Sequence, residues 1–316
     1  MFSAMTTWRK RFRHSALVLL ILLAAIHGRA ATFTVATYNV ENYLDAATAT
    51  REAKSPVSKA KVRESIRAMT PDVLALQEIG TTNALLELRD SLKAEGLFYP
   101  YWEHVGGFDT NIFVAVLSRF PIVARNPITN ATFLLRGRRF FTSRGFANVD
   151  IEVNRNYRFT LIAVHLKSRR TTAEADEAEI RAQEARILRQ QIDAILNANP
   201  NQNLVVLGDL NDSKDSIPVR TIIGRGKNSL IDTRPAENNG DNPGASDSPA
   251  HHSLRRITWT HFYAKEDVYQ RADYILVSRG MAREWDRTGT YVLAIPDWGI
   301  ASDHRPIIAR FSAQDR

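Results

Sequence analysis

Eight polar residues stand where strand-like apolar runs begin or end, and their types suit hard-cation and acid–base chemistry. Asn39 closes TFTVATYN, Glu78 follows DVLALQ, and His165 lies late in LIAVHLKS. Asp209 and Asn211 follow NLVVLG, Asp273 directly precedes YILVS, and Asp303-His304 directly precede RPIIARF. Polar groups at so many strand ends converge on one edge of a packed sheet, where ligands and metals collect. Carboxylate and amide oxygens without any cysteine favour Mg2+, Mn2+ or Ca2+ over a structural zinc. Each residue alone also fits an ordinary role. Glu78 reads as a surface-loop acid, Asp209 as an Asx-turn residue, and His165 as a hydrogen-bonded core histidine. Asp273 next to Arg271 reads as an ion pair, and Asp303-His304 after Ser302 as a turn.

The elements that must position these residues follow from pattern. Thr32 to Asn39 is β-rich. Ser58 to Met69 reads as a helix with Val62 and Ile66 on one face, stopped by Pro71. Asp72 to Gln77 is a short buried strand and Thr81 to Lys93 a second helix, with strands following at Ile112–Leu117, Phe146–Val153 and Phe159–Leu166. Thr171 to Asn197 is the longest predicted helix, with Ile180, Ile187, Leu188, Ile192, Ile195 and Leu196 as its apolar stripe. Glu174, Asp176, Glu177 and Glu179 crowd its first turns, where the helix dipole favours anions, so a solvated helix start explains them better than a metal site. Leu204–Leu207, Tyr274–Val277 and Pro306–Phe311 complete the strands, and Asn238 to Pro249 is a polar surface loop. Strands and helices mix without strict alternation, which predicts an α+β layered sandwich rather than a barrel.

The first thirty residues read differently. Arg9, Lys10, Arg11 and Arg13 form a basic segment, Ala16 to Ile26 an apolar run, and Gly28-Arg29-Ala30-Ala31 places small residues for a cut after Ala30. This order fits a secretory signal (an uncleaved anchor is the alternative), so residues 1–30 are expected to be removed and 31–316 to form one secreted or periplasmic catalytic domain. Removing five basic residues from the 42 Lys and Arg leaves 37 against 34 acids, so the net charge falls from +8 to about +3. The nominal charge therefore overstates the case for nucleic acid. With no cysteine, neither disulfides nor a lipid anchor at the signal end is possible, and a domain of this size needs no such staples. No second spanning run suggests integral membrane association, and nothing indicates an obligate protein partner.

Taken in order, TYNVEN, PDVLALQEI, VLSRFPI, VHLKS, LGDLND, RADYILVS and SDHRPI resemble the endonuclease/exonuclease/phosphatase superfamily, over roughly Thr32 to Phe311. GDLND and SDHRP are the most specific segments. The resemblance implies an α+β, four-layer αββα sandwich with two packed mixed β-sheets and one catalytic centre at their top. It implies that Glu78 is the principal acidic ligand of a divalent cation, Mg2+ or a similar ion, with Asn39 and Asp303 in the metal shell. Asp209 and Asn211 match the pair that orients the nucleophilic water and contacts the scissile phosphate. His304 matches the histidine beside that phosphate and Asp273 the carboxylate that orients it. His165 matches the second histidine of the pancreatic-type deoxyribonuclease branch, where abasic-site endonucleases usually carry a tyrosine-containing segment. These roles agree with elementary chemistry, because attack on an anionic phosphodiester needs charge neutralised at the phosphoryl oxygens. The absence of a G-x-x-x-x-G-K-[ST] segment argues against a P-loop nucleotidase.

The resemblance leaves the substrate open. A nuclease on DNA or RNA is the first expectation. A phosphatase or phosphodiesterase on lipid headgroups, inositol phosphates or nucleotides is the second, and a catalytically inactive binding module the third. Arg136, Arg138, Arg139 and Arg144 interleave with Phe140, Phe141 and Phe146. That pattern suits a phosphate backbone with unstacked bases, and equally a basic hairpin with buried phenylalanines. Lys167, Arg169 and Arg170 follow His165 and suit either a substrate phosphate or a solvated loop. An exposed aromatic or aliphatic hairpin, which a lipid-directed enzyme would want, is not evident. His251-His252 read as plain surface residues, and Asn130-Ala131-Thr132 is a glycosylation sequon of little weight.

Overall fold

Alternation along the strands decides the architecture of the computed structural model, which describes residues 31–237 and 257–314. The expected signal segment, the loop from Asn238 to Pro249 and His251-His252 lie outside the described residues. In chain order the elements are β1 (Thr32–Tyr43), α1 (Pro56–Met69), β2 (Val73–Ile79), α2 (Thr82–Ala94), β3 (Tyr101–Val105), β4 (Phe113–Ser118) and β5 (Ile122–Arg125). Next come β6 (Thr132–Leu135), β7 (Arg138–Phe141), β8 (Ala147–Asn154), β9 (Tyr157–His165), α3 (Glu177–Ala198), β10 (Leu204–Asp209) and α4 (Ile217–Ile223). The chain continues through β11 (Ile231–Asp232), β12 (Ala236–Glu237), β13 (His261–Tyr263), β14 (Val268–Gln270), β15 (Asp273–Val277), α5 (Arg279–Glu284), β16 (Trp285–Val292) and β17 (Ile307–Ser312).

Two large mixed sheets form, ordered β12-β16-β17-β1-β2-β4-β3 and β11-β15-β10-β9-β8-β5. Successive side chains of a strand point to opposite faces, so each strand contributes to two cores. Val35, Val73, Ala75, Val116, Leu161, Val205, Leu207 and Ile275 fill the space between the sheets. Ala36, Tyr38, Leu74 and Leu76 face the other way, onto Val62, Ile66, Leu85 and Leu88 of α1 and α2. On the second sheet Ile162, Val164, Val206 and Leu276 pack against Leu188 and Ile192 of α3 and Val219 of α4. The result is an α+β, four-layer αββα sandwich, and Phe33–Arg316 make one unit.

Local chemistry sets the helix bounds. Ser55 accepts from Ser58 N with Pro56 opening α1, and Thr70 closes it in a left-handed conformation at φ 46°. The longest helix starts six residues later than its pattern suggests. Asp176 is its cap, accepting from Ala178 N and Glu179 N, so Glu174 lies before the helix and only Glu177 and Glu179 occupy its first turn. The hairpin β6–β7 turns through Arg136 (φ 49°) and Gly137 (φ 77°), the paired positive φ of a tight two-residue loop.

Candidate active site

The inter-sheet face of the strands runs upward from apolar to polar. On β1 the inward positions Val35 and Thr37 lead to Asn39, and on β9 Leu161 and Ala163 lead to His165. On β10 Val205 and Leu207 lead to Asp209, and on β15 Val277 and Ile275 lead back to Asp273. Pairing register sets Asp209 beside both His165 and Asp273. The same period of two that builds the core thus delivers Asn39, His165, Asp209 and Asp273, all buried, to one end of it.

Backbone irregularities aim the rest. Glu78 does not end its strand: β2 runs on to Ile79, and Glu78 sits at a register shift with φ 60°. Asn211 has φ 53°, and Glu41 and Asn42 have φ 42° and 53°, so four strained non-glycine residues crowd this edge. Gly208 has φ 135°, and a Cβ there would meet Val164 O at 1.9 Å, so only glycine lets β10 lie this close to β9 just before Asp209. Asp303 and His304 are tied in from the loop before β17, where Ser302 Oγ donates to Asn39 O (2.8 Å) and accepts from His304 N (3.0 Å).

The hydrogen bonds define a network. His304 Nδ1 donates to Asp273 Oδ2 at 2.8 Å, leaving Nε2 3.7 Å from Asp209 Oδ2. Asp209 Oδ2 accepts from Asn39 Nδ2 (3.0 Å) and Asn211 Nδ2 (3.2 Å), while Oδ1 accepts from Asn211 N (2.8 Å). The Asx-turn reading of Asp209 is therefore correct for one oxygen, and the other faces the site. Arg271 does not pair with Asp273; it bonds Asp232 and lies over Tyr274, leaving Asp273 to His304. His165 Nε2 stands 3.5 Å from Asp209 Oδ2 and 3.9 Å from Glu78 Oε1.

Charge follows from burial and neighbours. Burial pushes the Asp209 carboxyl up to about 6, against the opposing pull of His304. Burial disfavours charge on His304 too, but Asp273 and Asp209 outweigh it and hold the imidazolium well above the ordinary range. His165 goes the other way. Burial, with Arg144, His304 and Arg51 as like charges, keeps it neutral well below that range.

Several participants have no periodic signal in the sequence. Arg51 donates to Asn42 Oδ1 (2.7 Å) and lies 3.8 Å from Glu78 and 3.8 Å from Asp109. His261, on β13, has its ring 4.5 Å from that of His304 and its Nε2 3.5 Å from Asp303 Oδ2. Glu41, two residues after Asn39 within TYNVEN, accepts from Asp303 N at 3.3 Å. Among the described residues, two sets of metal-capable groups have ligand atoms within 4.8 Å of one another: His261, Asp303, His304 and Asp209, Asp273, His304. Glu78 and Asn39 are in neither. Chemistry nevertheless fits a hard cation beside Glu78. Burial and the like charge of Asp303 raise the Glu41 carboxyl although Lys54, 3.6 Å away, opposes them. Three carboxylates, Glu41, Glu78 and Asp303, thus gather here as oxygen donors of the kind a hard cation takes.

The basic residues separate into two groups. Arg144 is buried, 3.5 Å from Asp109, and donates to Leu166 O; Lys167 is lowered by burial and by Arg144 beside it. Arg138 and Arg139 are exposed on β7, while Arg136 is held by Glu179 at 2.9 Å. Glu184 of α3, buried and unnoticed in the sequence, accepts from both Ser143 N and Lys167 N at 2.6 Å. Of the two readings of this basic and aromatic stretch, buried phenylalanines hold only for Phe146, while Phe141 is exposed together with Leu134 and Phe108. The acidic cluster at the start of α3 belongs to neither metal-capable set.

The sequence matches the model of the Endonuclease/Exonuclease/phosphatase family over residues 36–304. No curated protein matches the chain by sequence. Among solved structures, the human Nocturnin catalytic domain with bound sulfate superposes with TM-score 0.60 at 17% identity, covering 90% of this chain and 95% of that one. Truncated Caenorhabditis elegans TDP2 gives 0.59 at 16% identity, over 89% and 98%. Sphingomyelinase C from Streptomyces griseocarneus gives 0.58 at 22%, over 89% and 100%. At these identities the likeness is one of fold.

Proposed function

The chain belongs to the endonuclease/exonuclease/phosphatase family, and from that membership we propose that it is an exported, Mg2+-dependent phosphodiester hydrolase that cleaves nucleic acid. The observation that carries hydrolysis is the facing pair Asp209 and His304, a buried carboxyl raised to about 6 and 3.7 Å from an imidazolium. Asp209 takes the proton of an attacking water that Asn211 helps to orient. The water oxygen bonds to phosphorus as the P–O bond to the leaving oxygen breaks, and that oxygen departs taking a proton from solvent. His304 Nε2 donates to a phosphoryl oxygen and counters its growing charge, while Asp273 fixes the ring from behind through Nδ1. His165, neutral, adds a hydrogen bond without adding charge. Glu78, Asn39 and Asp303 would hold Mg2+ or Mn2+, or Ca2+, through their oxygens. When bound, the cation neutralises phosphoryl oxygens.

Nucleic acid as substrate is supported by Arg138 and Arg139, exposed on the hairpin that leads to Arg144 and the site. One observation favours a second reading, a lipid phosphodiesterase: Leu134, Phe141 and Phe108 are exposed where no apolar hairpin was expected. The fold it shares with a sphingomyelinase is compatible with that alternative. Export rests on the N-terminal pattern, and no helix among the described residues is long and apolar enough to cross a membrane. The deciding assay offers purified protein with Mg2+ plasmid DNA, RNA, sphingomyelin and a p-nitrophenyl phosphodiester. Cleavage of sphingomyelin with DNA and RNA untouched would overturn the nuclease assignment, and a mature N-terminus other than Ala31 the cut site.

A further inference from the structure

Phe108 lies far from the hairpin in sequence, yet its ring stacks on Phe141 with centroids 5.3 Å apart and planes only 5° from parallel. Both rings are open to solvent, Phe108 by 68% and Phe141 by 42%. The opposite face of the hairpin carries a second stacked pair, Phe133 and Phe140, which is half-buried and explained by packing. The outer pair has no such explanation.

The pair is held rigidly beside the catalytic edge. Asp109 N donates to Ser143 O (2.9 Å), and a Cβ on Gly145 would lie 2.1 Å from Gly106 O, so the two segments approach as only glycine allows. Asp109, next to Phe108, is 3.8 Å from Arg51, which is itself 3.8 Å from Glu78. Arg139 shares the outer face of β7 with Phe141, and Arg138 is its exposed neighbour.

Flat, preformed aromatic surface with the exposed guanidinium of Arg139 on the same face matches a nucleobase with an adjoining phosphate. A lipid surface is matched less well. Its natural contact would be the hairpin tip, and that tip is Arg136-Gly137, with Arg136 tied to Glu179. We propose that Phe108 and Phe141 form a stacking platform for an unpaired base, so that single-stranded or frayed nucleic acid is preferred over intact duplex. This rests on the nuclease reading and narrows it.

The test compares kcat/KM for a ten-residue oligothymidylate, a blunt hairpin duplex and bis(p-nitrophenyl) phosphate, in wild type, Phe108→Leu and Phe108→Trp. Leucine keeps the apolar bulk and removes the π face. We expect Phe108→Leu to lower the ratio of single-strand to small-diester efficiency about tenfold, the size of one base stack removed. Phe108→Trp should keep the ratio, and oligothymidylate should quench its new emission. Leu134→Ser, on the same face but without a ring, should behave as wild type. An unchanged ratio in Phe108→Leu, with nucleic acid still cleaved, overturns the platform alone. Failure of every protein to cleave nucleic acid, with the small diester hydrolysed, removes the nuclease reading and the platform with it. Loss of binding to phosphatidylcholine–phosphatidylserine vesicles in Phe108→Leu, with the single-strand ratio intact, would make the patch a lipid contact instead.

Discussion

Asp209→Asn should separate the cost of keeping a buried base from its benefit. In the folded protein the Asp209 carboxyl titrates near 6 instead of the ordinary 3.8. A carboxyl with a raised folded pKa binds its proton more tightly in the native state, so stability is greatest below the unfolded pKa and falls as pH rises through the folded one. A shift of this size is roughly 3 kcal/mol in all, of which about 2 kcal/mol is lost between pH 4 and 7. Asparagine carries no charge and cannot lose it. It does set one amide N–H2 against the donors Asn39 Nδ2, Asn211 Nδ2 or Asn211 N, a penalty of about 1–3 kcal/mol that does not change with pH. His304 stays charged in folded and unfolded chains through most of this window, because its folded pKa lies above the ordinary 6.5. Urea unfolding of both proteins in EDTA at pH 4, 5, 6 and 7 therefore isolates one charge. The wild type should lose about 2 kcal/mol relative to the variant on going from pH 4 to 7, whatever the constant offset. Parallel curves would refute the idea that Asp209 is held as an energetically costly base. Activity should disappear in the same variant, by at least about a hundredfold in kcat.

Other outcomes follow from the same geometry. Hydrolysis should stop with EDTA and return with Mg2+ or Mn2+; Glu78→Gln should weaken that dependence or abolish turnover with the fold intact, and His261→Ala should lower Mn2+ affinity measured by titration about tenfold, because its contact steadies Asp303. Chelator-insensitive turnover would remove the metal assignment. His304→Ala should cost at least about a hundredfold in kcat, about 2.7 kcal/mol on the barrier, and Asp273→Asn less, since it orients rather than reacts; near-full kcat in His304→Ala would sink the mechanism. On a long nucleic acid, Arg138→Ala with Arg139→Ala should raise KM and flatten its salt dependence by about one unit of log–log slope for each phosphate no longer neutralised, and an unchanged slope would remove both arginines from the interface.

Period-two alternation makes four site residues legible in the sequence, whereas Glu78, Asn211, Asp303 and His304, aimed by irregular backbone, are assigned through the motifs they sit in. Asn39, His165, Asp209 and Asp273 interrupt apolar strands at their ends, and a strand must deliver such residues to the edge of its sheet. Arg51, Asp109 and His261 arrive from loops and a small hairpin, whose residues carry no periodicity and whose positions are set by tertiary packing. Mixed strands and amphipathic helices without strict alternation point to a layered α+β sandwich, and the number of layers comes from the family resemblance of the motifs, not from the pattern. The outward face of β6–β7 could not be anticipated, because phenylalanines in a basic hairpin look the same whether they pack inward or stack outward. The late start of α3 has a similar origin: several acids can each cap a helix, and the pattern does not say that Asp176 is the one that does.

The carboxylate of Glu184 has a consequence for anyone wishing to recombine this enzyme with its relatives. One of its oxygens takes the N–H of Ser143, just beyond the hairpin, and the other the N–H of Lys167, just beyond the strand of His165. The segment after the hairpin and the strand of His165 are therefore not separable cassettes, since each is anchored to the same side chain of a third element. A chimera that imports a new hairpin but keeps an unrelated long helix forfeits the shared anchor on both sides at once, leaving two half-buried backbone donors unmatched. Crossover points that carry the helix along with the hairpin respect that joint.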